Sequence, residues 1–185
     1  WAIEAPILIQ DELSFKGSGL NVIYTENLSQ YRTLKVRILN GAHTAMVPVG
    51  YLNEISTVRE AVEDKKIGKF LNNLLYDEIK PTLDFPESII DSYIAVTLDR
   101  FRNPFVDHQL LSISLNSISK FRFRLLPSLL EYVKKFNTPP THITNSLAHL
   151  IKFYLGKYNG QPIPRRDDEI TIQFFDDLRQ KWEEN

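Results

Sequence analysis

No cysteine occurs among the 185 residues, which excludes disulfides, thiolate nucleophiles and cysteine-ligated metals. Its absence is compatible with a reducing compartment, and a cytoplasmic setting is the expectation. No apolar run approaches the roughly 18 residues that a membrane span requires. Glu4 and Pro6 interrupt what would be the apolar core of a secretory leader. Excess charge is missing as well: 22 basic residues stand against 23 acidic ones, a net of -1. That balance removes the electrostatic reason to expect nucleic acid or an anionic membrane as a partner. Gly17-Ser18-Gly19 lacks the third glycine of a dinucleotide fingerprint and precedes an extended segment, so it is read as a turn. His142 and His149 have no carboxylate or cysteine arranged around them, and no metal site is expected. The chain starts at Trp1, not methionine, and is expected to be part of something longer.

What is present is apolar material: 43% of residues are hydrophobic and 11% aromatic, enough for one well-buried core. Asn21 to Thr25 is β-branched and aromatic and predicts a short strand, with Trp1 to Ile9 as a second extended piece. From Lys35 the periodicity turns helical. Thr57 and Glu60 have capping-box spacing, and Val62, Ile67, Phe70, Leu71 and Leu74 predict a helical run that stops at Pro81. Pro86 opens a helix to about Phe101, with Ile89, Ile90, Tyr93, Ile94 and Val96 expected largely inward. A long segment from Pro104 to Phe121 and a helix opened by Pro127, carrying Leu129, Leu130 and Val133, follow. Leu147, Leu150, Ile151 and Tyr154 predict an amphipathic helix ending near Gly156, and Asp167 to Trp182 a charged last helix. Lys134-Lys135 and Arg165-Arg166 read as solvated surface. The expectation is a mainly α chain, with a mixed β and loop segment over 1–34 and a helical domain over 35–185.

The densest chemistry lies between Lys35 and Thr44. At about 100° per residue, Asn40 and His43 fall some 60° apart and Lys35 about 80° from His43. A lysine, an amide and an imidazole converging on one point could hold a carbonyl oxygen and deliver a proton to it. Spacing alone is met more often by a surface lysine, a capping asparagine and a satisfied histidine. Arg100-Phe101-Arg102-Asn103-Pro104, followed by His108 and Lys120, is the second candidate. Arginines near a helix end either complement its dipole or clamp a carboxylate.

Taken together these motifs resemble the C-terminal domain of the polyol-specific long-chain dehydrogenases, the mannitol dehydrogenase family. That family's lysine, with asparagine five on and histidine eight on, is met by Lys35, Asn40 and His43. Its arginine-phenylalanine-x-asparagine-proline signature is met by Arg100 to Pro104. Its later serine, lysine and proline resemble Ser119, Lys120 and Pro127. The resemblance covers essentially the whole chain. Within the family, Asn40 to Thr44 and Lys120 to Arg124 are most similar to the tagaturonate reductases, or altronate oxidoreductases.

The resemblance implies a multi-helical substrate domain similar to the C-terminal domain of 6-phosphogluconate dehydrogenase, with a small β element at its start. It implies an NAD-dependent interconversion of tagaturonate and altronate, without metal. NAD would be bound mainly by the parent's own nucleotide-binding domain, which should precede Trp1. The partners would be that domain and a sugar-acid substrate, with no nucleic acid and no membrane. Lys35 would be the general acid and base, with Asn40 and His43 orienting the reacting oxygen. Arg100 is the first choice for the uronate carboxylate, with His108 and Lys120 behind it and Asn103 ordering the turn beneath them. A mannitol, fructuronate or hexitol-phosphate dehydrogenase and a non-enzymatic helical interaction domain are the alternatives.

Overall fold

The computed structural model describes residues 2–5, 12, 15, 18–20 and 22–183. Trp1, residues 6–11, Gly17 and Asn21 lie outside them, and with them most of the expected Trp1–Ile9 extended piece. Of that piece, Ala2–Glu4 forms strand β1, which pairs in parallel with β2, Ile23–Thr25, in the register Ile3 to Tyr24. The expected turn is seen at Ser18, whose amide and hydroxyl both donate to the carbonyl of Phe15.

The first helix whose bounds fall within the described residues starts at Ser29, six residues before Lys35. The carboxamide of Asn27 accepts from the Ser29 amide, and the Glu4 carboxylate accepts from the Leu28 amide, which ties this helix start to β1. Helix α1 (Ser29–Leu34) runs into a π-helical turn, Lys35–Asn40, and then into α2, Gly41–Tyr51. Every residue of α2 from Thr44 to Gly50 is buried, as expected for a helix surrounded by others. Leu34, Ile38, Ala42, Ala45, Met46 and Val49 carry the core along this axis.

The capping box holds as expected. Thr57 Oγ1 accepts from the Glu60 amide and the Glu60 carboxylate accepts from the Thr57 amide, which starts α3, Val58–Glu63. The run expected to reach Pro81 is interrupted at Asp64, whose backbone is extended and whose carboxylate caps α4, Lys65–Asn73. The turn is tight: a Cβ on Gly68 would lie 2.5 Å from the backbone oxygen of Val62. A π-turn (Leu74–Ile79) and a single 3-10 turn (Lys80–Thr82) complete the run.

Helix α5 spans Glu87–Phe101 with Pro86 at its N-cap. Its inward face is Ile90, Ile94, Thr97, Leu98 and Phe101; Ile89 and Val96, expected inside, are 48% and 54% exposed. The segment from Pro104 to Phe121 is not one helix. It begins as a loop held back against the start of α3, where Val58 N donates to the His108 carbonyl and Leu110 N to that of Ser56. It then forms α6 (Leu110–Ile113) and α7 (Ser117–Arg124), separated by Asn116 in the left-handed region at φ 52°. Helix α8 (Leu126–Phe136) has Pro127 in its first turn, but Leu130 and Val133 face outward.

Helix α9 (Thr141–Tyr154) packs along α2 and ends before Gly156, at φ 77°. Its first amides, those of His142 and Ile143, donate to the two oxygens of buried Glu78. A two-residue hairpin, β3 (Lys157–Tyr158) and β4 (Gln161–Pro162), leads to α10, Glu169–Glu183. Arg165 is not solvated surface: it donates to the Tyr154 carbonyl and pairs with Asp176. Among the described residues no helix is long and apolar enough to cross a membrane.

Candidate active site

In a regular α-helix, Lys35 and Asn40 would point about 140° apart at 100° per residue. The π-turn changes that geometry, because its i to i+5 bonding stacks residues five apart on successive turns. Lys35 and Asn40 are therefore drawn onto one side of the helix. Regular α geometry resumes at Gly41 and sets His43 about 60° from Asn40. The Lys35 amide donates within the helix, whereas its side chain is exposed and makes no hydrogen bond or ion pair among the described residues.

His43 is partly buried. Its ring lies 4.4 Å from that of Phe101 and 5.4 Å, edge-on, from that of His108. Burial first, then the charges of His108, Arg124 and Lys120, hold its pKa down at about 4. The imidazole is neutral near pH 7 and offers hydrogen bonds, not an imidazolium proton. Its Nε2 is buried without a hydrogen-bond partner, an unused valence that costs about 1–3 kcal/mol while unfilled.

Helix α7 supplies two cations to this neighbourhood. Lys120 and Arg124 are four apart and share a face. Lys120 Nζ donates to the Ile113 carbonyl at 2.8 Å, and Arg124 Nη1 to Thr44 Oγ1 at 3.2 Å. Thr44 in turn donates to the Asn40 carbonyl at 2.9 Å, so the guanidinium is indexed to the helix that carries Asn40 and His43. Burial pushes both cations below their ordinary range; Arg124 lowers Lys120 further and Asp167 opposes that. Asp167 accepts from the Tyr154 hydroxyl, which itself accepts from the Ser117 amide at the start of α7.

His43 and His108 are thus in ring contact, Lys120 acts on His43 through its charge, and the Asn40 carbonyl is tied to Arg124 through Thr44. Asn103 Oδ1 accepts from the Phe105 amide and orders the turn after α5. Arg100 is exposed on α5, about 100° around from Phe101, and its charge acts on Tyr93. Among the described residues no group of three histidine, aspartate or glutamate side chains could hold a metal ion. Two members of the cluster lie inside sequence motifs that assign them no role of their own: Phe101, which stacks on His43, and Arg124. The signal for Arg124 was its four-residue spacing from Lys120.

The chain matches the mannitol dehydrogenase C-terminal domain over residues 27–184. It is 42% identical over 178 residues to the altronate oxidoreductase of Cronobacter sakazakii, covering 96% of this chain and 37% of that protein. It is 42% identical over 190 residues to the altronate oxidoreductase of Pectobacterium atrosepticum, covering 100% of this chain and 39% of that one. The chain thus spans under two-fifths of the length of these relatives. Among solved structures it resembles Pseudomonas fluorescens mannitol 2-dehydrogenase, in a ternary complex with NAD and D-mannitol. The TM-score is 0.77 at 21% identity, covering 88% of this chain and 33% of that one. D-sorbitol dehydrogenase in substrate-free form follows with a TM-score of 0.73 at 21% identity, covering 80% and 31%. These two likenesses establish the fold.

Proposed function

From the premise that the chain belongs to the mannitol dehydrogenase C-terminal domain family, we propose that it is the substrate-side part of an NAD-dependent oxidoreductase interconverting tagaturonate and altronate. The substrate is suggested by relatives at 42% identity named altronate oxidoreductase. The observation that supports this chemistry is the π-turn over Lys35–Asn40, whose five-residue bonding favours a shared face for its first and last residues, one turn before the neutral His43.

NAD fits poorly to the described residues themselves. A pyrophosphate is cradled where a glycine-rich turn leads from strand into helix. Here β2 reaches α1 through Glu26-Asn27-Leu28, without glycine. The dinucleotide would be held by protein outside this chain, and the steps assigned here concern only the substrate oxygen.

As a ketone carbon becomes a secondary alcohol, its oxygen gathers negative charge and then takes a proton. Lys35 donates that proton, and accepts it in the reverse direction. The Asn40 amide and the neutral His43 imidazole orient and polarise the oxygen. A neutral imidazole suits that role because it offers a hydrogen bond without competing with Lys35 as the acid.

Lys35→Ala in the full-length protein should lower kcat about a hundredfold or more, the usual size of a lost acid-base group, while NADH binding survives. Near-normal turnover across the pH range would remove Lys35 from proton transfer. A strong preference for an uncharged polyol over altronate would move the protein to the mannitol side of its family.

A further inference from the structure

We propose that Arg124, backed by Lys120, recognises the carboxylate of the substrate and so separates a sugar acid from a neutral sugar. The proposal rests on the oxidoreductase reading above and names the group that selects its substrate class.

Four observations carry it. Arg124 and Lys120 occupy one face of α7 and are both drawn partly into the protein. Neither forms an ion pair with a carboxylate among the described residues. Cations withdrawn from water without a counter-charge are costly, and an anionic ligand offsets that cost. Arg124 bonds to Thr44, the chain neighbour of His43, and both cations act electrostatically on the imidazole assigned to the reacting oxygen.

Arg124 is also positioned in a way that an adventitious surface arginine is not. One N–H is spent on Thr44 Oγ1, whose proton goes to the Asn40 carbonyl, so the guanidinium is set against the turn that carries the reactive groups. Four of its five donors remain for a ligand, and the planar fork matches a carboxylate bidentately. Lys120, held by the Ile113 carbonyl, supplies a point charge beside it. The nearby carboxylate of Asp167 is occupied by the Tyr154 hydroxyl and the Asp168 amide, and it moderates Lys120 without pairing with it. Arg100 and Arg102 are exposed at the end of α5 and show no comparable attachment to α2.

The experiment compares kcat/KM for tagaturonate with that for tagatose, the ketohexose without the carboxylate, in full-length wild type, Arg124→Gln and Arg100→Ala. Arg124→Gln should lower the tagaturonate-to-tagatose ratio about thirtyfold or more, as for a truncated buried charge pair. The loss should fall mainly in KM for the uronate. A general packing defect lowers both substrates alike, and that result overturns the assignment. So does a collapse of the ratio in Arg100→Ala with none in Arg124→Gln, whereas a collapse in both supports a shared clamp. If Arg124→Gln does not fold, Arg124→Lys decides, because it keeps charge and loses the fork. A selective rise in uronate KM supports the proposal, and an unchanged ratio overturns it. Wild-type protein that reduces tagatose but not tagaturonate would sink the substrate reading itself. A wild-type preference for tagaturonate that survives in Arg124→Gln sinks only the role of Arg124.

Discussion

Two arginine-bearing regions of this molecule use the same side chain to opposite ends. At the end of α9, Arg165 lies over the left-handed turn at Gly156, where an added Cβ would sit 2.6 Å from its guanidinium carbon. It donates to the Tyr154 carbonyl at 2.8 Å and to Asp176 at 3.0 Å, while Arg179 binds the Leu155 carbonyl and the same Asp176. Every strong contact there closes on the protein itself. Beside α2, Arg124 has one anchor and no carboxylate. The first arrangement holds a helix end in place. The second keeps charge available, and the contrast separates residues that maintain the fold from residues that await a ligand.

The sharpest way to test that division is a charge of the first kind, Glu78. It is buried and both of its oxygens are taken by the first amides of α9. Glu78→Ala should cost about 3 kcal/mol in urea unfolding by orphaning two buried donors. A cost under about 1 kcal/mol would mean that satisfied buried charges here do not hold the fold.

The two arginines come next. Arg165→Leu should cost about 2 kcal/mol, allowing for the partial exposure of its pair with Asp176, and should leave substrate preference unchanged. Arg124→Leu should leave the unfolding midpoint unchanged or raise it, because it removes a cation that lacks a counter-ion. Equal destabilisation by both would erase the distinction.

The smallest expected effect is the pH dependence contributed by His43. Its folded pKa, about 4, lies below the unfolded value near 6.5, so the unfolded chain binds more protons between them. Its contribution is therefore fully present above about pH 6.5 and is lost as the pH falls toward 4. His43→Asn should lose less stability than wild type between pH 7 and 4.5, measured by urea unfolding at each pH. Parallel losses would show that the imidazole is not kept neutral by its surroundings.

Local devices were the parts most readable from residues alone. The Thr57–Glu60 capping box, Pro86 at a helix start and Gly156 at a helix end each depend on a few neighbouring residues, and each is where its pattern puts it. Apolar periodicity was less informative about which side of a helix faces inward. On α5 both Ile89 and Ile90 fit a helical pattern, and only tertiary packing selects Ile90 for the interior. The break at Asn116 was hidden because a left-handed asparagine carries no mark that separates it from a helical one. At the site, the lysine, asparagine and histidine stood out by spacing. A uniform 100° step, however, put Lys35 and Asn40 on different sides, since nothing in Lys35–Asn40 announces five-residue bonding. Arg124 depended on long-range assembly, through Thr44, eighty positions away in the chain.

The π-turn also determines which kinds of genetic change this region can absorb. It is equivalent to one residue more than an α-helix needs over the same stretch. Deleting one residue between Val36 and Leu39 would let the helix relax to ordinary winding with Lys35 four residues, about 40°, from Asn40, so the shared face would survive. Adding one would instead overwind the stretch or turn everything upstream by about 100° relative to Asn40, leaving Lys35 charged but directed elsewhere. The extra residue is slack in the count, so this stretch can lose a codon more easily than it can gain one.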